Sequence, residues 1–376
     1  MQLLYKENWE ATKQRYRAWW AGENFGRCGL WVTAPRARPM NVPPPPPRPA
    51  TPEQRWTDLD YISAYVEHAH ATTFFGGEAL PVWQAGYPGH KNLPAFLGCR
   101  VELDFNTGWV RPMLNGEAID CTSLTLDESN DRFQYALREQ AHAVRQSRDK
   151  SIPAIAGAFG GSGDTLAWLR GTERLLIDIM DRPDEVLAAE MHLMGLWIQV
   201  YDRFYNMIRQ AAEGSTTWYP LWAPGKFYSP QNDFAYMISP AHFRKLFLPG
   251  IEKQLQYLDY TIYHVDGVGN FNHVDTLLEL PKLHALQILP GAGKPSALHY
   301  MPVLKKVQAA GKNLDIFIGP DEVAPALREL SARGLFIHTW CRTEDEAKDL
   351  LKKAERWSHD RTVVPAARAG DNCPLP

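Results

Sequence analysis

The sequence lacks the marks of exported, disulfide-linked and membrane-spanning proteins. Its 376 residues include five cysteines, at positions 28, 99, 121, 341 and 373, whose scatter and odd number predict reduced thiols rather than a disulfide framework. Lys6 and Glu7 interrupt the apolar stretch of about 7–15 residues that a secretory signal needs. No uninterrupted apolar run approaches the roughly 18 residues of a membrane helix. We therefore expect a cytoplasmic protein that does not enter a membrane.

A strong charge of either sign is also missing. The chain carries 40 Lys and Arg against 43 Asp and Glu, a formal net charge of -3, and no basic cluster is dense enough to follow a nucleic-acid backbone. Hydrophobic residues make up 45% of the chain and charged residues 22%, which is the composition of a globular protein with a sizeable core. Nucleic-acid binding, disorder and a fibrous architecture are therefore not expected.

The chain divides into an irregular first part and a regular second part within one predicted domain, 1–376. The first part, 1–126, contains a predicted amphipathic helix at 8–21, a Pro-rich surface loop at 39–52, a helix at 57–74 and an irregular stretch that predicts a lid or a hairpin. The second part, 127–357, alternates helices with short apolar runs, and 358–376 form a tail.

Short apolar runs predict eight strands. They lie at 29–34, 79–83, 152–158, 216–222, 259–264, 284–290, 315–319 and 335–340. Strands that alternate with helices favour a parallel sheet, and eight such units predict a (β/α)₈ barrel of the TIM type. An open, doubly wound sheet is the alternative, but the run that begins at Gly267 lacks the third glycine of a dinucleotide-binding motif.

Residues just beyond the strand ends are the candidates for chemistry, since such residues line the active sites of these barrels. His264 and Asp266 alternate at the end of one predicted strand, and Cys341 follows the last. Together they predict three ligands for Zn²⁺, with a fourth position left for water or substrate. Without a metal, His264 is a candidate acid or base whose tautomer Asp266 would fix. The structural alternative is a buried histidine beside a turn-forming aspartate.

Further candidates for substrate contact follow other strands. Asp164 is predicted either to cap the helix at 165–180 or to contact substrate. A segment of aromatic and polar residues after position 218 predicts a wall for a planar or sugar-like ligand. The candidates from that segment and from the predicted strand at 284–290 are Trp222, Tyr228, Gln231, Asp233 and Gln287, with Asp233 also a candidate catalytic carboxylate.

Motifs along nearly the whole chain resemble the uroporphyrinogen decarboxylase superfamily, specifically its methyltransferase-like, corrinoid-linked branch. In chain order they are Trp19-Trp20 with Glu23, Ala34-Pro-Arg36, Pro94-Ala-Phe-Leu-Gly98, Gly163-Asp-Thr-Leu-Ala-Trp-Leu-Arg-Gly171, Asp181-Arg-Pro-Asp-Glu-Val186, Asn232-Asp-Phe-Ala-Tyr-Met-Ile-Ser-Pro240 with Phe243, Tyr263-His-Val-Asp-Gly267, Leu289-Pro-Gly-Ala-Gly293, and Cys341 followed by Glu344 to Leu351. Each motif is of modest specificity, so the resemblance depends on their shared order and spacing.

The resemblance implies a (β/α)₈ barrel that transfers methyl groups, with zinc held by His-x-Cys and a distant Cys. His264 and Cys341 match two of these ligands, whereas Asp266 stands where the family has the middle Cys. The Arg-rich motif that grips uroporphyrinogen is missing at 81–86, which argues against that substrate. An Asp-x-His-x-x-Gly corrinoid-binding signature is also missing from the sequence, so any cobalamin would be carried by a separate protein.

The leading hypothesis is a methyltransferase or demethylase in which a metal at His264, Asp266 and Cys341 acts on a small methylated compound. A second hypothesis keeps the barrel but assigns cobalamin-independent lyase, decarboxylase or carbohydrate-cleaving chemistry to His264 and Asp233. A third is a ligand-binding relative without catalysis. The expected partners are a small-molecule substrate, a corrinoid protein and, as one option, a second copy of the chain in a homodimer.

Overall fold

A mostly parallel sheet lies at the centre of the fold. The computed structural model describes residues 2–40, 44–116 and 119–362. The strands in chain order are β1 (Gly29–Pro35), β2 (Thr73–Gly77), β3 (Val82–Trp83), β4 (Val101–Leu103), β5 (Gly108–Val110), β6 (Ile152–Pro153), β7 (Phe227–Tyr228), β8 (Tyr260–Asp266), β9 (Ala285–Leu289), β10 (Asn313–Phe317) and β11 (Leu335–Trp340). Seven of them form the main sheet in the order β2-β1-β11-β10-β9-β8-β7.

Helices separate most of these strands, so the protein is a mixed α/β structure. In chain order they are α1 (Trp9–Trp20), α2 (Pro52–Thr57), α3 (Leu59–Thr72), α4 (Leu93–Phe96), α5 (Asp131–Ser147), α6 (Asp164–Arg170), α7 (Thr172–Asp181), α8 (Pro183–Ile208), α9 (Pro240–His242), α10 (Leu248–Tyr257), α11 (Val274–Leu278), α12 (Met301–Ala309), α13 (Val323–Glu329) and α14 (Glu344–Trp357). A π-helical stretch, Phe243–Phe247, joins α9 to α10. From β8 onward one helix or more follows each strand, which is the connection that parallel pairing requires.

The late strands confirm the predicted pattern. β8, β9, β10 and β11 pair in parallel in chain order, and β11 then pairs in parallel with β1. Their interiors are almost fully buried, which explains why they read as continuous apolar runs in the sequence. The predicted strands at 79–83 and 152–158 contract to β3 and β6, which pair with each other in parallel.

The predicted strand at 216–222 is wrong. Only its flanking residues Ser215 and Ala223 pair, through a single antiparallel bridge. Pro220 has no N–H to donate to a ladder, and the hydroxyl of Thr217 accepts a hydrogen bond from the Tyr219 amide at 3.2 Å. The segment is therefore a buried turn that carries Trp218 and Tyr219, rather than a strand.

The amino-terminal helix α1 confirms the predicted amphipathic helix and covers the amino-terminal end of the main sheet. The Trp19 indole donates to the carbonyl of Gly334, just before β11, at 3.0 Å. The Asn313 side chain, at the start of β10, donates to the Trp19 carbonyl at 2.6 Å. Since α1 occupies this end, the opposite, carboxyl-terminal end of the strands is the one available for a substrate site.

Three other sequence predictions concern the periphery. The irregular stretch contains an antiparallel hairpin of β4 and β5, as predicted. Cys28, Cys99, Cys121 and Cys341 are buried free thiols, and Cys373 lies outside the described residues. Of the Pro-rich loop, 41–43 fall outside the description, as do 363–376 of the tail. Within the described ranges, no helix has the length and apolar character needed to cross a membrane.

Candidate active site

The predicted polar residues at the end of β8 lie beside those of the neighbouring strand and loop. His264 is directly opposite Gln287 of β9 in the parallel register. On its other side, the His264 amide donates to the Pro230 carbonyl at 2.9 Å, and a parallel bridge pairs His264 with Gln231. Strand pairing on both sides therefore holds His264 between two amide side chains.

The His264 imidazole is held by Gln287 and faces Asp266. Its Nδ1 atom is hydrogen-bonded to Oε1 of Gln287, while its Nε2 atom lies 3.7 Å from Oδ2 of Asp266. An amide oxygen accepts hydrogen bonds only, so Nδ1 carries the proton in neutral His264 and Nε2 has a free lone pair. The tautomer is thus fixed by Gln287, not by Asp266 as predicted from the sequence.

The surroundings of His264 favour its protonated form. Burial lowers the pKa of the imidazole, whereas its interactions with Asp266 and Gln287 and the charge of Asp233 raise it, and the net pKa lies above the ordinary value of 6.5. The Trp218 ring stands perpendicular to the imidazole, with 5.2 Å between centroids. His264 is therefore a protonatable group in an aromatic and acidic setting.

An amide bridges two carboxyl groups next to this histidine. Nε2 of Gln231 lies 3.1 Å from Oδ2 of Asp164 and 3.4 Å from Oδ2 of Asp233. Asp164 is almost fully buried, and its other oxygen accepts a hydrogen bond from the Phe234 amide at 2.9 Å. It is the first residue of α6, whose N-cap is Gly163, so Asp164 links the start of α6 to the segment that carries Gln231 and Phe234 rather than capping the helix.

Both carboxyl groups hold protons more tightly than ordinary aspartates. Burial, followed by the charge of Asp233, raises the pKa of Asp164 to about 7. Partial desolvation and the charge of Asp266 raise the pKa of Asp233, against the opposing effect of His264. A carboxyl group with a pKa near neutrality can donate and accept protons at physiological pH, as general acids and bases do.

Glycines allow the loop before α6 to approach this bridge. A Cβ atom on Gly161 would lie 2.0 Å from the Gln231 carbonyl oxygen. Gly163 has φ +80°, and a Cβ there would lie 2.5 Å from the Asn232 side chain. Any larger residue at either position would push the loop away, so the close contact of Asp164 with Gln231 depends on glycine.

Two of the predicted substrate-contact residues are buried in the structure. Trp222 is fully buried, donates from its indole to the Ala212 carbonyl at 2.9 Å, and packs on Trp9 of α1, which is the closed end of the sheet. Tyr228 is also buried, and its hydroxyl accepts a hydrogen bond from the Phe159 amide at 3.0 Å. The aromatic residue that contacts His264 is Trp218, which lies in the turn at 216–222.

Cys341 lies apart from the other two predicted zinc ligands. It lines a cavity of about 600 Å³ together with Asp321, Trp340 and Glu346. β8 and β11 are separated by two strands, which corresponds to roughly 14 Å along the sheet. Within the described ranges no group of three or more His, Cys, Asp and Glu side chains is arranged to hold a metal ion. The donor set does not fit the predicted zinc centre.

A second polar cluster was not predicted. The hydroxyl of Tyr219 donates to Oδ1 of Asp315 at 2.5 Å, and Nε2 of His338 lies 2.8 Å from Oδ2 of the same carboxylate. All three side chains are buried, and Asp315 is the register partner of Gln287. Asp315 and His338 are isolated polar residues in the apolar runs that predict two strands. That pattern is the feature of the sequence that indicates a buried polar cluster.

Comparison with known proteins assigns no family. No protein-family model and no curated protein matches the chain.

Proposed function

We propose that the sheet is part of a complete (β/α)₈ barrel and that the chain is an enzyme of the uroporphyrinogen decarboxylase type. Parallel pairing of the last strand, β11, with the first, β1, supports closure on one side. On the other side, β3 pairs with β6, the Ile155 amide donates to the Thr216 carbonyl at 2.9 Å, and β7 pairs with β8. These contacts continue the parallel order around most of a ring.

The activity we propose is methyl transfer from, or demethylation of, a small methylated compound. The observation that carries it is the Gln231 bridge, which places a carboxyl group of raised pKa, that of Asp233, next to His264. When a bond between a methyl carbon and a heteroatom breaks, its electrons stay on the heteroatom, which then takes a proton. Asp233 or His264 supplies that proton while the methyl carbon bonds to the acceptor.

Other residues position these two. Gln287 fixes the orientation of His264, and Asp164 holds Gln231, which in turn contacts Asp233. Asp266, about a third exposed at 36%, lies between solvent and Nε2 of His264 and is suited to contact the substrate. The residues of the proposed mechanism are therefore His264, Asp233 and Asp266, supported by Asp164, Gln231 and Gln287.

The methyl acceptor is proposed to come from a separate corrinoid protein. A corrinoid, when bound, supplies a nucleophile for a methyl group. Cys341, the thiol among the predicted ligands, lies apart from the other candidate residues, so we do not assign it as the methyl acceptor. Large apolar side chains are exposed in segments that end or follow strands, at the same carboxyl-terminal end of the sheet as the site: Tyr236 at 50%, Phe317 at 39% and Trp340 at 62%. Exposed side chains of this kind are enriched where partner proteins bind.

Methyl transfer is tested with purified protein, a panel of methylated compounds and cob(I)alamin, free or protein-bound, followed by the absorbance change of the cobalamin. We expect transfer with at least one compound and a loss of at least about 100-fold in His264→Ala and Asp233→Asn, in line with general acid–base contributions. His359→Ala, at an exposed histidine, is the matched control. Absence of transfer to both free and protein-bound cobalamin across the panel would contradict the proposal.

A second candidate is acid–base lyase, decarboxylase or carbohydrate-cleaving chemistry. The specific observation in its favour is that His264 and the Gln231-bridged carboxyl groups are assembled, whereas the predicted metal ligands are not. Such an enzyme would convert its substrate without any methyl acceptor. Turnover of an acid or sugar substrate by the protein alone, with the same loss in His264→Ala, would favour this candidate.

A further inference from the structure

Polar side chains form one row across the neighbouring strands β8, β9, β10 and β11. His264, Gln287 and Asp315 are register partners on the first three, so their side chains lie side by side on one face of the sheet. On β11, Nε2 of His338 lies 2.8 Å from Oδ2 of Asp315, which extends the row by one more residue. The row therefore ends in a histidine on each side, and the proposed reaction does not use the second one.

The orientation of His338 is fixed by its neighbours. Asp315 accepts a hydrogen bond from the Tyr219 hydroxyl and faces Nε2 of His338, and a carboxylate accepts hydrogen bonds only, so Nε2 carries the proton. The imidazole also stacks on the Phe317 ring, with 4.2 Å between centroids and 6° between planes. In neutral His338, Nδ1 is consequently a hydrogen-bond acceptor held in one direction.

Two atoms of this row lack a hydrogen-bond partner among the residues that the structure describes. They are Nδ1 of His338 and Nε2 of Gln287, whose side chains use their other polar atom for Asp315 and His264. His338 and Gln287 are each only 2% exposed, yet neither of these two atoms is completely enclosed by protein. Open polar atoms on almost fully buried side chains mark a position that a ligand can fill.

The two open atoms are of opposite kind. Gln287 gives its amide oxygen to His264, so its Nε2 atom is a donor, whereas Nδ1 of neutral His338 is an acceptor. A hydroxyl group donates and accepts, so it can satisfy both atoms. An ether oxygen accepts only and an ammonium group donates only. A carboxylate also accepts only, so it would require His338 to be protonated.

We propose that Gln287 and His338 form a subsite for a hydroxyl group, so that the substrate is a small methylated compound that also carries a free hydroxyl. This inference deepens the proposed function and rests on it, because it places the subsite next to His264. The Gln287 amide would hold His264 with its oxygen and the substrate hydroxyl with its nitrogen. A buried donor and acceptor that a hydroxyl satisfies and a methyl group leaves unpaired discriminate strongly between the two.

The test compares ligands in which a methyl group of similar size replaces the hydroxyl. The pairs are 2-methoxyethanol with 1-methoxypropane, and 2-methoxyphenol with 2-methylanisole, and methoxyacetate serves as an anionic probe. Affinities are measured by ligand-observed NMR titration of the unmodified protein without any methyl acceptor. We expect at least one hydroxyl compound to bind at least about tenfold more tightly than its methyl counterpart.

Two variants assign that preference to the subsite. His338→Gln removes Nδ1 but keeps an amide N–H for Asp315, and Gln287→Glu removes the Nε2 donor but keeps an oxygen for His264. Each should reduce the preference for hydroxyl over methyl to less than about threefold. A purely structural role would change both affinities of a pair alike and leave their ratio. His359→Gln, at an exposed histidine, is the matched control and should keep the preference.

Equal affinity within both pairs, tighter binding of methoxyacetate than of 2-methoxyethanol, or no hydroxyl compound bound below about 10 mM would each overturn the inference. An unchanged preference in either variant, with folding verified by circular dichroism, would place the hydroxyl elsewhere and overturn it as well. The proposed function fails separately. Hydroxyl preference without methyl transfer contradicts only the reaction, and methyl transfer with equal affinities within the pairs contradicts only the subsite.

Discussion

Nδ1 of His264 is hydrogen-bonded to Oε1 of Gln287, the residue directly opposite on the neighbouring strand β9. Both residues sit on buried, regularly paired strands, so the orientation of the imidazole is determined by the sheet itself. The protonated Nδ1 leaves Nε2 as the atom that faces Asp266 and the open side of the site. Residues that hold a catalytic histidine in one tautomer contribute strongly to rate without touching substrate.

Gln287→Leu should therefore reduce kcat strongly. Leucine preserves the approximate volume and burial but cannot accept a hydrogen bond from Nδ1, so His264 is free to adopt the other tautomer or to rotate. We expect kcat to fall about 100-fold or more, with KM changed less than kcat, in line with the contribution of positioned acid–base groups. Steady-state kinetics with a compound that supports methyl transfer in the panel would measure this. A rise in KM of similar size, with kcat unchanged, would instead assign Gln287 to substrate binding.

The protonation of Asp164 should make the free energy of unfolding fall as the pH rises from about 4 to about 7. Its pKa is about 7 in the folded protein against an ordinary 3.8, so the native state binds more protons than the unfolded state between those values. Folding stability contributed by the protonated form is then greatest below about pH 4 and declines up to about pH 7. Asp164→Asn removes this dependence while keeping an acceptor for the Phe234 amide.

Urea unfolding at pH 5 and pH 8 measures that effect. Between pH 5 and pH 8 the unmodified protein should lose on the order of 2 kcal/mol more of its free energy of unfolding than Asp164→Asn does. Asp127→Asn is the control, because the hydrogen bonds of Ser129 lower the pKa of Asp127 and keep it ionised across this window. Identical pH dependence in Asp164→Asn and the parent protein would show that Asp164 titrates normally.

Cys341→Ser should leave the metal content of the purified protein unchanged. Cys341 lines a cavity that His264 does not line, and burial raises the pKa of its thiol, which disfavours the thiolate that binds zinc. Metal analysis by mass spectrometry of the parent, Cys341→Ser and His264→Ala proteins would test this. Stoichiometric zinc that is lost in both variants would show that the two strand ends meet around a metal after all.

The strands that carry the site were readable from the sequence because they are buried on both faces. Runs such as Ala285–Leu289 contain almost only apolar residues between polar segments, and this pattern survives without any knowledge of partners. The segment 216–222 shows the same composition but folds as a turn, because Pro220 and the Thr217 hydroxyl replace strand pairing. An apolar run predicts burial more securely than it predicts a strand.

The pairing of site residues was not readable in the same way. The partnership of His264 with Gln287 depends on strand register, which tertiary packing sets and a single sequence does not encode locally. The separation of Cys341 from His264 likewise follows from the order of strands in the sheet. His264, Asp266 and Asp233 were identified by residue type and position, whereas Trp218 and the Gln231 bridge required the fold.

Tyr219→Phe should destabilise the fold by leaving one buried oxygen of Asp315 without its hydrogen-bond donor. The tyrosine hydroxyl donates to Asp315, which is fully buried, and phenylalanine keeps the ring but removes that hydrogen bond. An unsatisfied buried acceptor costs about 1–3 kcal/mol. Urea denaturation measures the loss, and Tyr65→Phe, at a tyrosine 56% exposed, is the matched control. Equal stability of the two variants would mean that His338 alone satisfies the carboxylate.

Trp340→Ala should weaken transfer to a protein-borne acceptor and spare transfer to a free one. Trp340 is 62% exposed at the end of β11, and Phe317, 39% exposed, lies at the end of the adjacent β10. Exposed aromatic residues at the carboxyl-terminal end of the sheet supply apolar area to a docking partner, and an aromatic anchor that is a binding hot spot is worth more than about 1 kcal/mol, or roughly fivefold in affinity. The apparent KM for the corrinoid protein should rise by at least that factor.

The two acceptors separate docking from chemistry. Free cobalamin reaches the site without a protein interface, so its rate with Trp340→Ala should match that of the parent protein. Trp109→Ala, in the hairpin of β4 and β5 and 52% exposed, removes an equally exposed indole and should change neither rate. A parallel loss with free cobalamin would place Trp340 in the substrate site. A parallel loss in Trp109→Ala would move the proposed partner to a different face of the protein.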